Sequence, residues 1–376
     1  MHHVETHVIL STINFTQRKD FQREISAGQL VDSKNVKKMI SDDQIFASFK
    51  NIRGTPQYWN NMMLDVLAKI RHFGVATWFL TWSAAIFKWN EIIKVVAYQT
   101  GEYNLTDEEI DAMDWPTKVS YIKRNPVTVA RHVDHIFKKV FTDVLYSGMH
   151  PIGQILNHDD RREFQYKSGL EHAHVLAHSK DAPKIDENTD EEVIEFIDKY
   201  VTCEIPDKTE YPVLNNLVET VQTHNHTDTC TKKKGVRCRF NAPWPPSEKT
   251  CIIRGGGDEW KKSKQILDKV LGERKFLSDL ENVKLSDLLS SCGVSFEEYE
   301  HALQNSKLKL SVLYKRKPVE QNVSPYNPII LNSLQSNMNL QYVTGVYGLL
   351  AYLTSYMCKP ERNMSKRHLK KHLARI

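Results

Sequence analysis

The sequence predicts an α+β protein, and three observations carry that prediction. A short aromatic and β-branched run, "VATWFLTWS", lies between stretches with helical spacing of apolar residues. Two neighbouring segments, "EFQYK" and "HAHVLA", alternate with period two around "SGLE", as the arms of a hairpin do. Amphipathic helical patterns precede and follow them, and strand, helix, hairpin and helix in that order suit an α+β core.

In chain order, residues 1–50 are polar with scattered apolar clusters and read as an N-terminal arm. "PQYWNNMMLDVLAKIRHFG" spaces Trp59, Met62, Met63, Val66, Leu67 and Ile70 for a helix that Gly74 ends. "VATWFLTWS" is the first strand. "WNEIIKVVAYQTG" is a helix, and "NPVTVARHVDHIFKKVFTDVLYSG" is a longer one begun by Pro126. The hairpin follows, then an acidic linker "DAPKIDENTDEE" and a compact loop "THNHTDTCTKKKGVRCRF". Beyond Gly255–Gly257, "EWKKSKQILDKVL", "LSDLLSSCG" and "SFEEYEHALQ" read as helices, and "YVTGVYGLLAYLTSYMCK" as the last one, stopped at Lys359-Pro360.

The chain has 376 residues, 40% hydrophobic and 26% charged, enough to bury more than one core and far from the composition of a disordered chain. Its formal charge of +5 is compatible with a polyanionic partner without requiring one. The six cysteines and the absence of a secretory pattern at the N-terminus lead to the expectation of a reducing compartment. The most apolar stretch, "FGVATWFLTWSAAIFKW", is shorter than the ~18 residues of a membrane-spanning helix, so a soluble protein is expected.

On a strand, side chains two apart share a face, so His172 and His174 project together while Ala173 faces the core. Glu163 and Gln165 share a face of the preceding arm. Two imidazoles and one oxygen donor, with positions left for water and phosphate, make a catalytic-type divalent site. The residues alone leave a second reading open, a pair of strand histidines beside ordinary polar neighbours. His174 and His178 have zinc-protease spacing, but Val175 stands where the general-base glutamate belongs, which excludes that chemistry. Tyr352 and Tyr356 lie one helical turn apart and share a face, with Lys359 a turn further on. A phenol is a weak nucleophile until its charge is supported, and an aromatic pair inside an apolar helix is the alternative. His224, His226, Cys230 and Cys238 gather four zinc-type ligands among Lys232, Lys233, Lys234, Arg237 and Arg239. A structural zinc is one reading and a basic loop with unrelated cysteines the other; either way the cations suit phosphates. Tyr58, Trp59, Trp82 and Trp244 are candidates for stacking on bases, or else core aromatics.

Four blocks in order, "RGTPQYWNNMMLDVLAKIRHFGVATWFLTWSAA", "REFQYKSGLEHAHVLAHSKDAP", "HNHTDTCTKKKGVRCRFNAPWPPSEKT" and "YNPIILNSLQSNMNLQYVTGVYGLLAYLTSYMCKPER", resemble the replication-initiator region of Helitron rolling-circle transposases, from about Ser41 to about Ser365. The resemblance implies an endonuclease fold of the His-hydrophobe-His (HUH) type: an antiparallel sheet with flanking helices, here with a small Cys/His basic loop and helical additions. "FLTWS" would be a core strand beside the metal strand, His172 and His174 the metal pair, and Glu163 or Gln165 the third ligand of Mg²⁺ or Mn²⁺. Tyr352 would attack single-stranded DNA to give a 5′-phosphotyrosine, with Tyr356 accepting a second strand end and Lys359 supporting charge.

The implied organisation is an arm at 1–50, the first part of the endonuclease core at 51–185, a linker with the Cys/His insert at 186–257, and a helical part with the tyrosine helix and basic tail at 258–376. Ser355, Asn339 and Asn241 depart from the lysine, aspartate and glycine expected at their positions. No G-x-x-x-x-G-K-[ST] motif occurs, so a truncated or domesticated copy working with a separate helicase is expected. A DNA substrate in a eukaryotic host implies a nuclear location, towards which "KRHLKKHLAR" points. Two rival functions remain at this level: a DNA-binding protein without activity, and a nuclease that activates water.

Overall fold

A computed structural model describes residues 34, 56–102, 104–164, 170–226, 230, 238, 240–254, 259–273, 283–306 and 310–345. The chain divides into two compact units, Met1–Val75 with Gly345–Ile376, and Ala76–Thr344. In the first, helix α1 spans Pro56–Phe73. Gly74 ends it at φ +81°, a conformation that suits glycine, and its N–H bonds Ile70 O at 2.9 Å.

The second unit is a mixed α+β structure built on a four-stranded antiparallel sheet. Its strands are β1 (Trp78–Ser83), β2 (Ile155–Phe164), β3 (Glu171–Ser179) and β6 (Met338–Tyr342), in the spatial order β2-β3-β1-β6. Between β1 and β2 come α2 (Asn90–Gln99), α3 (Asp107–Asp111), α4 (Trp115–Arg124) and α5 (Pro126–Lys139). After β3 come α6 (Asp190–Tyr200) and α7 (Pro212–Leu217). A small second layer follows: the two-stranded sheet of β4 (Cys251–Ile253) and β5 (Ser311–Leu313), with α8 (Trp260–Glu273), α9 (Leu285–Cys292) and α10 (Phe296–Asn305). Helix α11 (Pro328–Leu334) leads into β6.

The pleat sorts the main sheet into two chemically different faces. One presents Trp78, Leu80, Trp82, Ala173, Val175, Ala177, Met338, Leu340 and Tyr342, all buried, to α2, α5, α6 and α11. Buried indoles find acceptors, as Trp78 Nε1 does on Ile152 O at 2.8 Å. The opposite face carries Asp159, Arg161, Glu163, His172, His174, Thr81, Ser83 and Asn339. A separate apolar cluster joins Ile253 and Leu313 to Leu267, Leu288 and Tyr299.

Several expectations change. The first hairpin arm begins at Ile155, well before "EFQYK", because the polar run from His158 to Glu163 pairs with β3 along its length. The expected linker "DAPKIDENTDEE" ends in a helix start. Thr189 and Glu192 form a capping box, and the acidic first turn of α6 suits the helix dipole. Strand β6 was not anticipated, although Met338, Leu340 and Tyr342 alternate buried with Asn339 and Gln341; Tyr342, expected to open the last helix, closes this strand opposite Trp78. The long helix expected to run to Gly148 is α-helical to Lys139 and continues as a π-helix over Val140–Leu145. No helix among the described residues is long and apolar enough to cross a membrane.

Two substitutions gauge this architecture. Leu80→Ala, at the centre of the sheet, is expected to lose about 2–5 kcal/mol. Thr189→Ala, at the cap of α6, is expected to lose about 1 kcal/mol. Urea unfolding curves read both, and equal losses would contradict the burial contrast.

Candidate metal centres

Strand β3 is central, between β2 and β1, and carries His172 and His174 on its polar face. Their rings meet edge to face with centroids 4.6 Å apart. In register, Glu163 and Ser83 lie on either side of His172, and Arg161 and Thr81 on either side of His174. Ser83 Oγ is 2.9 Å from His172 Nδ1, which fixes that ring and leaves Nε2 for another partner. Glu163 Oε2 is 3.3 Å from His174 Nε2, and Phe79 stacks on His174 at 6.1 Å.

Burial, then the neighbouring His174, lower the His172 imidazole from its ordinary 6.5 to about 4, with Glu163 opposing. The hydrogen bond from His174 holds the Glu163 carboxyl below its usual range against partial burial. A neutral imidazole and an ionised carboxylate are the forms that ligate a cation. Two ligand atoms at right angles around Mg²⁺ would stand about 3 Å apart, close to the His174–Glu163 separation. His174 and Glu163 stand at that spacing, and His172 beside them does not complete a set of three ligand atoms mutually within 4.8 Å.

A tighter group lies elsewhere. Among the described residues, His224, His226, Cys230 and Cys238 are the one set of three or more His, Cys, Asp or Glu ligand atoms mutually within 4.8 Å. Cys238 Sγ is 3.1 Å from His224 Nε2 and Cys230 Sγ is 3.6 Å from His226 Nδ1. Tetrahedral zinc separates sulfur and nitrogen ligands by about 3.5 Å. Both sulfurs are buried, and the Phe240 N–H donates to Cys238 Sγ at 3.4 Å, the kind of bond that supports a thiolate. The cluster is compatible with a zinc site.

The turn after Cys238 accounts for one departure noted in the sequence. Asn241 has φ +59° and donates its N–H to Cys238 O at 2.8 Å. Glycine suits that left-handed position, and asparagine tolerates it better than most residues. Asn339, the second departure, lies in register with Thr81 on the metal-facing side, and its Oδ1 is buried without a hydrogen-bond partner.

Of the two readings open for Trp82 the core one holds: it is fully buried against Phe137 and Phe141, so it cannot stack on a base. Trp244 packs beside the buried cysteines, with the Arg316 guanidinium 5.0 Å from its ring. His178 is buried at the end of β3. Gln165, Lys232, Lys233, Lys234, Arg237, Arg239, Tyr352, Tyr356 and Lys359 lie outside the described residues. Sequence reasoning missed the pairing of Ser83 with His172; the usable signal was the period of "FLTWS", which puts Phe79, Thr81 and Ser83 on one face.

With this geometry in place, comparison with known proteins adds one match. Residues 6–177 match the family described as the Helitron helicase-like domain at the N-terminus. The matched stretch includes β1, β2, His172 and His174, and stops before the Cys/His cluster and Tyr352. No curated protein matches the chain.

The lowered His172 value sets a pH window for the metal-free protein. The unfolded chain takes up this proton near 6.5 and the folded one near 4, so the contribution is whole above 6.5 and is lost as pH falls from there towards 4. His172→Asn should flatten the stability profile across that window in urea titrations. For the second cluster, the expected zinc content is about one ion per chain by mass spectrometry under native conditions. Cys230→Ser with Cys238→Ser should remove it, and His172→Ala should leave it.

Proposed function

We propose that this chain is a transposon-related DNA nickase and strand transferase that works on single-stranded DNA through a tyrosine nucleophile. The observation that carries the reading is the meeting of His172, His174 and Glu163 on one face of adjacent strands, inside the stretch that matches the Helitron domain.

In this reading His172, His174 and Glu163 hold Mg²⁺ or Mn²⁺, and Gln165 is the alternative oxygen donor. The cation supplies charge that polarises a phosphodiester oxygen. Ser83 keeps the His172 ring oriented. Tyr352 is the first nucleophile: its oxygen bonds to phosphorus, the bond to the 3′ oxygen breaks, and the phenolic proton ends on that 3′ oxygen. One phosphodiester is exchanged for another, so no external energy is consumed. Tyr356 takes the second strand end, and Lys359 supports the developing phenolate.

Zinc at His224, His226, Cys230 and Cys238 is assigned a structural role, since four protein ligands leave no open position for substrate. Lys232, Lys233, Lys234, Arg237 and Arg239 then contact backbone phosphates. The site of action is the nucleus of a eukaryotic host.

The deciding measurement is a covalent adduct between the chain and a single-stranded oligonucleotide, seen on a denaturing gel in Mn²⁺. Tyr352→Phe with Tyr356→Phe should abolish it, and His172→Ala should reduce it at least a hundredfold. Cleavage that persists without both tyrosines would point to activated water instead. Salt-sensitive binding with no cleavage in any metal would point to a DNA-binding protein.

A further inference from the structure

The stem that enters the Cys/His loop runs beside residues 322–324. Thr223 and Val323 form an antiparallel bridge, with the His224 N–H on Asn322 O at 2.7 Å and the Ser324 N–H on Gln222 O at 3.1 Å. These bonds flank a non-hydrogen-bonded pair, so the next opposed pair is His224 with Asn322. Opposed residues of an antiparallel pair project to one side, with Cβ atoms about 4.5–5.5 Å apart. The register therefore sets the Asn322 side chain beside the His224 ring.

Two observations give that placement a chemical meaning. The His224 ring turns Nε2 towards Cys238 Sγ, 3.1 Å away, inside the cluster of four ligand atoms. Asn322 Oδ1 is buried and has no hydrogen-bond partner among the described residues, which is costly for an amide oxygen. Gln321, fully buried with both amide atoms likewise unpaired, belongs by alternation to the other side of the strip, with Val323. A neutral imidazole that gives Nε2 to a cation carries its proton on Nδ1. Ligating histidines as a rule donate that N–H to an oxygen, which fixes both tautomer and ring. Edge-to-face contacts with Phe240 and His226, at 5.2 and 5.0 Å between centroids, restrain the His224 ring plane without choosing its tautomer.

We propose that Asn322 is a positioning residue for zinc: its Oδ1 accepts a hydrogen bond from His224 Nδ1–H when Nε2 holds the metal, which selects the zinc-binding tautomer. The inference rests on the zinc assignment of the Cys/His cluster and not on the nickase reading. Because the bond belongs to the loaded state, it raises zinc affinity and leaves the metal-free chain with an unpaired oxygen. Removing the amide then weakens zinc binding without weakening the metal-free fold.

The test uses the full chain, stripped of metal and titrated with zinc against a chromophoric chelator. Asn322→Ala should bind zinc about 10–100-fold more weakly than wild type. Asn322→Asp keeps an acceptor oxygen at the same place and should bind at least as tightly as wild type. In urea, metal-free Asn322→Ala should unfold at the same midpoint as metal-free wild type or a higher one. Saturating zinc should raise the midpoint of the wild type more than that of the variant. Nuclear magnetic resonance of the loaded protein should show a slowly exchanging Nδ1 proton on His224 in the wild type and a fast one in Asn322→Ala.

Equal zinc affinity in Asn322→Ala and wild type overturns the proposal. So does an equal loss in Asn322→Asp, which would give the effect to something other than the oxygen. A metal-free Asn322→Ala that is destabilised as much as the loaded one, or that does not fold at all, overturns it as well, because Asn322 would then serve the fold and not the metal. A wild type that binds no zinc defeats the zinc assignment, and this inference with it. A wild type that binds zinc beside an equally tight Asn322→Ala defeats this inference alone.

Discussion

The register of β3 between its two neighbours is the constraint on which the rest depends. Ala173, Val175 and Ala177 are buried against the helices, and that apolar set forces His172 and His174 to the other face. A slip of one residue would put both imidazoles into the core and three apolar side chains against Glu163 and Arg161. The partners hold the register from both sides. Ala177 pairs with Trp78, whose indole is tied to Ile152 O, while Ser179 donates to the same carbonyl through its hydroxyl and to Thr77 Oγ1 through its backbone N–H. At the other end Ser83, opposite His172, has its carbonyl bonded by Ser336 and its N–H placed on Asn337 O. The hydrophobic pattern thus aims the candidate ligands, and the ligands need no packing of their own.

Much of this was legible because period two is a local signal. "HAHVLA" and "FLTWS" indicate their strands and faces directly, and the alternation of the arm before the turn puts Glu163 on the face of the two histidines. What was not legible depended on contacts far along the chain. Strand β6 is five residues long and looks like the approach to a helix. Its assignment depends on Trp78, Leu80 and Trp82 offering a partner some 260 positions earlier. The acidic run before α6 looked like solvent-exposed linker because composition says nothing of a capping box until Thr189 and Glu192 are paired. Trp82 shows the same limit from the other side: an aromatic that suits a base equally suits a core, and only Phe137 and Phe141 decide.

The two ligand groups differ in the way that function would require. Around His172 and His174 the donors are two nitrogens and a carboxylate oxygen, with one ring pinned by a hydroxyl. Donors of these kinds in general suit hard cations that keep water or take phosphate oxygen. Around Cys230 and Cys238 four ligand atoms close on one point, two of them soft sulfurs from buried side chains. That set suits an ion that stays and leaves nothing free for substrate.

The closed cluster is joined to the open site through backbone. The His224 N–H bonds Asn322 O at 2.7 Å, Thr223 bridges to Val323, and the Trp244 N–H bonds Gln321 O at 2.8 Å, so both stems of the Cys/His loop dock on residues 321–323. One residue before that stem, the buried Gln222 side chain grips Met338 in both directions, donating to its carbonyl at 2.6 Å and accepting its N–H at 3.0 Å. Met338 pairs with Trp82 in β1, one residue from Ser83, which orients His172. Each link is a hydrogen bond or a strand pair in a buried setting, where leaving a group unpaired costs about 1–3 kcal/mol. The Cys/His cluster is thereby tied to β6, and through β6 to β1, the central strand on which Ser83 meets His172.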